Sequence, residues 1–132
     1  MKISLIGISN LTNILINKIE NHSEMINVFS TTKNFDFINE HKNSENVKII
    51  LVENYIEKLD FIKSESDYIF ILTDNDSTNS FIFHKIKLLI EISKVQFLIK
   101  NSYLFNLYKN KKYSVINESS IEDNELINII RS

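Results

Sequence analysis

The chain of 132 residues contains no cysteine, no proline and no tryptophan, and it has one glycine, Gly7, and one arginine, Arg131. Without cysteine, disulfides, thiolate metal ligands and thiol nucleophiles are excluded. With one arginine, lysine side chains and backbone N–H groups would have to hold any phosphate. No apolar run approaches the ~18 residues of a membrane span, and no signal-peptide pattern opens the chain. We therefore expect a cytoplasmic protein without direct membrane insertion.

The bulk composition is that of an ordinary globular domain. Hydrophobic residues make up 43% and charged residues 24%, and the formal net charge is −2. A chain of this length can bury a proper core as one domain. Acidic and basic residues are mixed, with no broad basic surface for a phosphate backbone. Nucleic acid is therefore not an expected partner.

Short apolar runs alternate with segments that have apolar residues three and four apart. The runs predict strands at 2–7, 25–30, 47–52, 67–73, 95–99 and 113–116, with helices between them, the fourth of which extends over 80–92. This order predicts an α/β domain over 1–118, a Rossmann-like three-layer fold with a six-stranded parallel sheet and helices on both faces. Asn10, Thr32 and the polar cluster at 74–78 are the expected helix starts. A polar hinge and an apolar helix are predicted for 119–132.

Ligands of open parallel sheets bind beyond the carboxyl ends of the strands. The alternation of strands and helices predicts that the polar cluster at 73–79 lies beside the Gly7 turn at that edge. A dinucleotide turn carries three glycines and is followed by an acid after the second strand. Here only Gly7 remains, because Ser9 and Thr12 replace the other glycines and Ser30 replaces the acid. The Cβ of residue 9 would push a phosphate away, whereas the N–H groups of the first helix turn still favour an anion. Two interpretations stay open: a degenerate nucleotide site, or a strand-to-helix turn that binds nothing. The candidate positions are Gly7, Ser9, Asn10, Ser30, Thr31, Glu53, Asn54, Thr73, Asp74, Asn75 and Lys100.

The segment 68–118 resembles the N-terminal domain of the regulators of potassium conductance, the RCK or TrkA-N family. In that family an apolar strand is followed by Leu-Thr, by acidic and polar residues, and by Thr-Asn at the opening of a long helix. Leu72–Asn79, with the sequence LTDNDSTN, matches this pattern in spacing and chemistry. The similarity covers roughly 2–130 and is most specific over 67–83.

The resemblance implies a non-enzymatic regulatory (gating) subunit of a potassium transporter or channel. Such domains dimerise, form rings beneath a membrane-embedded potassium-translocating subunit at the inner face of the membrane, and respond to NAD(H), ATP or ADP. Carried over by position, Gly7, Ser9 and Asn10 would line the phosphates, and Ser30 or Thr31 the ribose. Glu53 and Asn54 would lie at the adenine edge, Thr73 and Asp74 at the inner side of the ligand, and Lys100 near the phosphates. The segment 119–132 would begin the crossover helix of the family.

Two other functions remain as alternatives. One is an NAD(P)-dependent oxidoreductase, and the other is a structural ring subunit that binds no ligand. No metal site is expected, because acids such as Asp74 and Asp76 are common at helix starts. His22, His41 and His84 are scattered and are expected to face solvent or to pack. The nearly all-round apolar helix at 80–92 predicts either a contact between subunits or burial beneath a neighbouring helix.

Overall fold

The structure is a computed structural model that describes residues 1–119. Its strands are β1 (Lys2–Ile6), β2 (Met25–Ser30), β3 (Val47–Leu51), β4 (Tyr68–Ile71), β5 (Val95–Leu98) and β6 (Val115–Ile116). All neighbouring strands are parallel, in the order β3-β2-β1-β4-β5-β6. The predicted Rossmann-like α/β fold with a six-stranded parallel sheet is confirmed. Apart from Ser119, the hinge and crossover helix predicted for 119–132 lie outside the described residues.

Five α-helices of the described part of the chain cover the two faces of this sheet. They are α1 (Asn10–Ile19), α2 (Phe35–His41), α3 (Leu59–Ser64), α4 (Asp76–Ile86) and α5 (Ser102–Asn110). The first two pack on one face and the last three on the other, because right-handed crossovers change face when the direction of strand addition reverses. This reversal lies between β1 and β4, at the centre of the sheet.

The central strands are apolar on both faces, as a sheet covered on both sides requires. In β1, Ile3 and Leu5 belong to the core under α1 and α2, whereas Ile6 belongs to the core under α3, α4 and α5. In β4, Phe70 lies in the first core and Ile71 in the second. The continuous apolar runs that predicted the strands are therefore a direct consequence of burial on both faces.

The predicted extent of the fourth helix is wrong at its carboxyl end. The helix α4 ends at Ile86, and the next segment forms tighter turns, in which the Leu89 N–H donates to the Ile86 carbonyl at 2.8 Å. Leu89 and Ile90 reach the core from these turns, and a 3₁₀ turn at Ile92–Lys94 leads into β5. Because apolar residues in tight turns can be buried without helical geometry, residue spacing could not show where the helix stops.

The expected helix starts are partly corrected. Ser9, not Asn10, is the N-cap of α1, and Asn34, not Thr32, caps α2 by accepting from the Phe37 N–H at 3.0 Å. The polar cluster at 74–78 does cap the fourth helix, since the Asn75 side chain accepts from the Thr78 N–H at 2.8 Å. The sixth strand covers only Val115–Ile116 of the predicted 113–116.

Candidate functional site

The turn after β1 and the loop after β4 touch each other at the carboxyl edge of the sheet. Gly7 has φ +95°, and a Cβ built on it would lie 2.6 Å from Thr73 Cγ2 and 2.8 Å from Thr73 Cα. Glycine is therefore required twice, for the left-handed backbone and for the approach of the neighbouring loop. The juxtaposition of the Gly7 turn and the 73–79 cluster, which the sequence predicts, is present in the structure.

A buried asparagine holds the loop after β4 in place. Asn79 is fully buried, and its Nδ2 donates to the carbonyls of Thr73 and Leu98, both at 2.9 Å. Its Oδ1 accepts from the Thr73 N–H at 3.0 Å and from the Thr73 hydroxyl. Both N–H donors and both acceptor lone pairs of the amide are thereby used within the protein. The Thr-Asn end of the LTDNDSTN motif thus has a structural role.

The sequence contains a signal for this structural role, although Asn79 is not among the candidate positions. Asn79 lies three and four residues before Ile82 and Phe83, on the buried stripe of α4. An uncharged polar residue on such a stripe must be hydrogen-bonded inside the protein. A position of this kind therefore predicts a structural amide.

One cavity lies beside the start of α1, and we call it the acidic cavity. Its volume is about 260 Å³. It is lined by Ile8, Ser9, Asn10, Asn13, Asn34, Asp36, Phe37, Glu40 and Asp74. Asp74 is ion-paired with Lys100, whose Nζ lies 2.9 Å from its Oδ1. The described residues contain no group of three acids or histidines that could hold a metal ion.

Ser9 is buried in the turn after β1. The residue is 6% exposed, and its Oγ has no hydrogen-bond partner among the described residues. The hydroxyl of Thr12 instead accepts from the Ser9 N–H at 2.9 Å and donates to the Gly7 carbonyl at 3.0 Å. At the positions of the two missing glycines, side chains therefore fill and brace the turn.

A larger cavity of about 590 Å³ lies at the same edge, against α4, and we call it the aromatic cavity. It is lined by Thr31, Glu53, Asn54, Tyr55, Ile56, Ser77, Thr78, Phe81 and Ile82. The Tyr55 hydroxyl accepts from the Thr31 N–H at 3.1 Å and so links the loops after β2 and β3. Phe81 is 55% exposed, with the Lys85 ammonium 5.4 Å from the ring centre.

The predicted site residues are therefore divided between two cavities. Ser9, Asn10 and Asp74 line the acidic cavity, and Thr31, Glu53 and Asn54 line the aromatic cavity. The other predicted residues line neither cavity: Gly7, Ser30, Thr73, Asn75 and Lys100. Ser30 is 2% exposed, and its hydroxyl donates to the Thr32 carbonyl at 2.7 Å and accepts from the Thr32 N–H at 3.1 Å.

Sequence reasoning missed most of the lining residues, and four of these bear on the chemistry of a ligand. Asp36 and Glu40 lie four residues apart on α2, a spacing that places both carboxylates on one helix face. Tyr55 and Phe81 stand in segments for which helices are predicted, where an aromatic residue indicates packing and not the wall of a cavity. The missing information is the relative placement of loops that are distant in sequence, which periodicity does not contain.

The remaining acid near this edge has a structural role. The Asp76 carboxylate accepts from the Lys100 N–H at 2.8 Å and from the Asn101 N–H at 2.9 Å. These bonds join the start of α4 to the loop after β5. Both carboxylate oxygens of Asp76 are thereby hydrogen-bonded to backbone donors.

Two of the three histidines make packing contacts. His41 is buried, with its Nε2 3.0 Å from the Asn13 side-chain oxygen and its ring 4.6 Å from that of Phe37. His84 packs against Phe83 and Tyr108, and its pKa is lowered by partial burial and by the positive charges of Lys87 and Lys111. Both residues fit the packing role expected from the sequence.

No model of a known protein family matches the chain, and no curated protein matches it. Within residues 1–119, none of the helices has the length and hydropathy that a membrane crossing requires. The function must therefore be inferred from the sequence resemblance and from the geometry of the acidic and aromatic cavities.

Proposed function

We propose that this protein is a regulatory subunit of a potassium transporter or channel, and that a small molecule bound at the carboxyl edge of its sheet biases gating. The proposal extends the resemblance of Leu72–Asn79 to the RCK family. It places the protein in the cytoplasm, associated with the membrane through a potassium-translocating partner subunit. The role is regulatory, not catalytic.

The observation that carries the proposal is the contact between the Gly7 turn and the Thr73 loop. The contact lies at the point where the order of strands reverses, which is where open α/β sheets bind ligands. The two halves of the sheet, β1 to β3 and β4 to β6, meet there. A ligand that touches both sides can favour one relative arrangement over another, with a coupling of about 1–3 kcal/mol in typical cases.

Assembly into a dimer or ring is part of the same proposal. On or just beyond α4 and α5, the side chains of Leu88, Tyr103 and Leu107 are exposed by 78%, 75% and 39%. Large apolar side chains exposed on one face of a sheet favour association between subunits. A ring of such domains would transmit a change of shape to the membrane subunit.

The test is to express the full chain together with candidate potassium-translocating membrane subunits and to isolate the complex from detergent-solubilised membranes. We expect specific co-purification with one such subunit, and a change in potassium-limited growth when the gene is deleted. A matched control is an unrelated Rossmann-fold protein expressed at the same level. Hydride transfer to NAD(P) without potassium-dependent growth would instead favour the oxidoreductase.

A further inference from the structure

We propose that the aromatic cavity binds an uncharged nucleoside, and that the acidic cavity at the same edge of the sheet excludes nucleoside phosphates and dinucleotides. This inference rests on the proposed function, because it specifies the chemical class of the ligand that the regulatory site takes. It is carried by the different chemistry of the two cavities.

The aromatic cavity has the features of a site for a flat, neutral heterocycle. Its volume of about 590 Å³ falls in the range of small-molecule sites. The half-exposed Phe81 ring offers a stacking surface, and Ile56 and Ile82 supply apolar wall. Glu53 supplies acceptors for an exocyclic amine or a sugar diol. Glu53 is the one charged residue of this lining, which contains no lysine, arginine or histidine, so the cavity offers no cation to a phosphate and suits an uncharged ligand better.

The acidic cavity occupies the position at which this fold normally holds phosphates, namely the start of the first helix. Asp36, Glu40 and Asp74 contribute three carboxylates to its lining. The Lys100 ammonium is already paired with Asp74. The α1 dipole is equivalent to roughly half a positive charge. Asp36 and Glu40 form no ion pair within residues 1–119, and their two negative charges outweigh this half charge, so the electrostatic balance is against a phosphate.

The test measures binding to the full chain by calorimetry, with adenosine and guanosine as neutral probes and with AMP, ADP and NADH as charged ones. We expect saturable binding of at least one nucleoside, and affinity that falls by about tenfold for the matching monophosphate because like charges face each other. This difference in affinity should shrink as the salt concentration is raised from 0.05 to 0.5 M. The screening length is ~10 Å at 0.1 M and shortens as salt is added, so the repulsion between the phosphate and the carboxylates weakens.

Two sets of variants separate the contributions of the cavities. Phe81→Ala should weaken nucleoside binding by about tenfold through loss of stacking. The matched control is Phe61→Ala, because Phe61 is 47% exposed and does not line the cavity. The double variant Asp36→Asn with Glu40→Gln should raise the affinity for AMP while leaving that for the nucleoside unchanged. All of these side chains are exposed, so the fold should tolerate the changes.

The inference is overturned if AMP, ADP or NADH binds more tightly than either nucleoside, or if no probe binds saturably. These results are distinct from a failure of the proposed function. Co-purification with a potassium-translocating subunit together with tight ADP binding would leave the regulatory role and remove the nucleoside assignment. Nucleoside binding without co-purification of a potassium-translocating subunit would keep the nucleoside assignment and remove the regulatory role.

Discussion

At the scale of single residues, the backbone conformation at Gly7 and its close contact with Thr73 require a residue without a Cβ. We expect Gly7→Ala to lower the free energy of unfolding by about 3 kcal/mol, because the left-handed φ and the contact with Thr73 are both unfavourable for a Cβ. Urea denaturation followed by circular dichroism measures the change. Thr73→Ser should rescue only part of it, since the Thr73 backbone atoms remain 2.8 Å from the added methyl. A stability equal to that of the unsubstituted protein would contradict this account.

Asn79 provides the second prediction at this scale. Asn79→Ala leaves the Thr73 N–H and the carbonyls of Thr73 and Leu98 without their partner in a buried site. We expect a loss of about 3 kcal/mol in the free energy of unfolding. The control is Asn75→Ala, which removes an exposed helix cap and should cost about 1 kcal/mol. Equal effects of the two substitutions in denaturation experiments would refute the structural role of the buried amide.

Tyr68 gives a prediction on alkaline stability. Burial raises the pKa of its hydroxyl from 10.0 to about 12, and a hydrogen bond with Gln96 acts in the opposite direction. Because the unfolded chain loses this proton near pH 10 and the folded chain near pH 12, stability is lost as pH rises through that interval. Ultraviolet absorbance of tyrosinate should show one phenol titrating late, and Tyr68→Phe should remove it. A titration in which every tyrosine ionises near pH 10 in the folded protein would be inconsistent with this burial.

At the scale of elements, the sequence was a good guide to strands and a poorer one to helix ends. The strands are apolar on both faces and therefore produce continuous runs, as at 67–73, where β4 is Tyr68–Ile71. The end of α4 was missed because Leu89 and Ile90 are apolar whether they belong to a helix or to a tight turn. The N-cap of α2 was missed because Thr32 and Asn34 are both good caps, and only hydrogen-bond geometry distinguishes them.

A prediction at this scale concerns the link between α4 and the loop after β5. Asp76→Ala removes the acceptors of the Lys100 and Asn101 N–H groups, and both amides should exchange hydrogen faster. Asp74→Ala is the matched control, because within residues 1–119 the Asp74 carboxylate bonds the Lys100 ammonium and no backbone amide. Hydrogen exchange followed by nuclear magnetic resonance gives the rates. Unchanged exchange in the Asp76 variant would show that the link does not protect the loop.

At the scale of the whole molecule, the sheet topology was predictable from the sequence, whereas the presence of two chemically different cavities was not. Strand and helix alternation with right-handed crossovers restricts the possible sheets to a few, and the meeting of the Gly7 and Thr73 loops followed from that. The separation into an acidic and an aromatic cavity depends on how α2 and α4 place Glu40 and Phe81. Such placement is decided by packing between segments that are distant in the sequence, and it produces no periodic pattern of apolar residues.

The last prediction concerns assembly. Leu88 is 78% exposed just beyond α4, whereas Leu51 is 52% exposed on β3, the edge strand of the sheet. If subunits associate through the face of α4 and α5, Leu88→Glu should lower the mass measured by light scattering, since burying an unpaired charge opposes association. Leu51→Glu should leave the mass unchanged. The opposite result would place the interface at the free edge of β3, where unpaired N–H and C=O groups can bind a second strand.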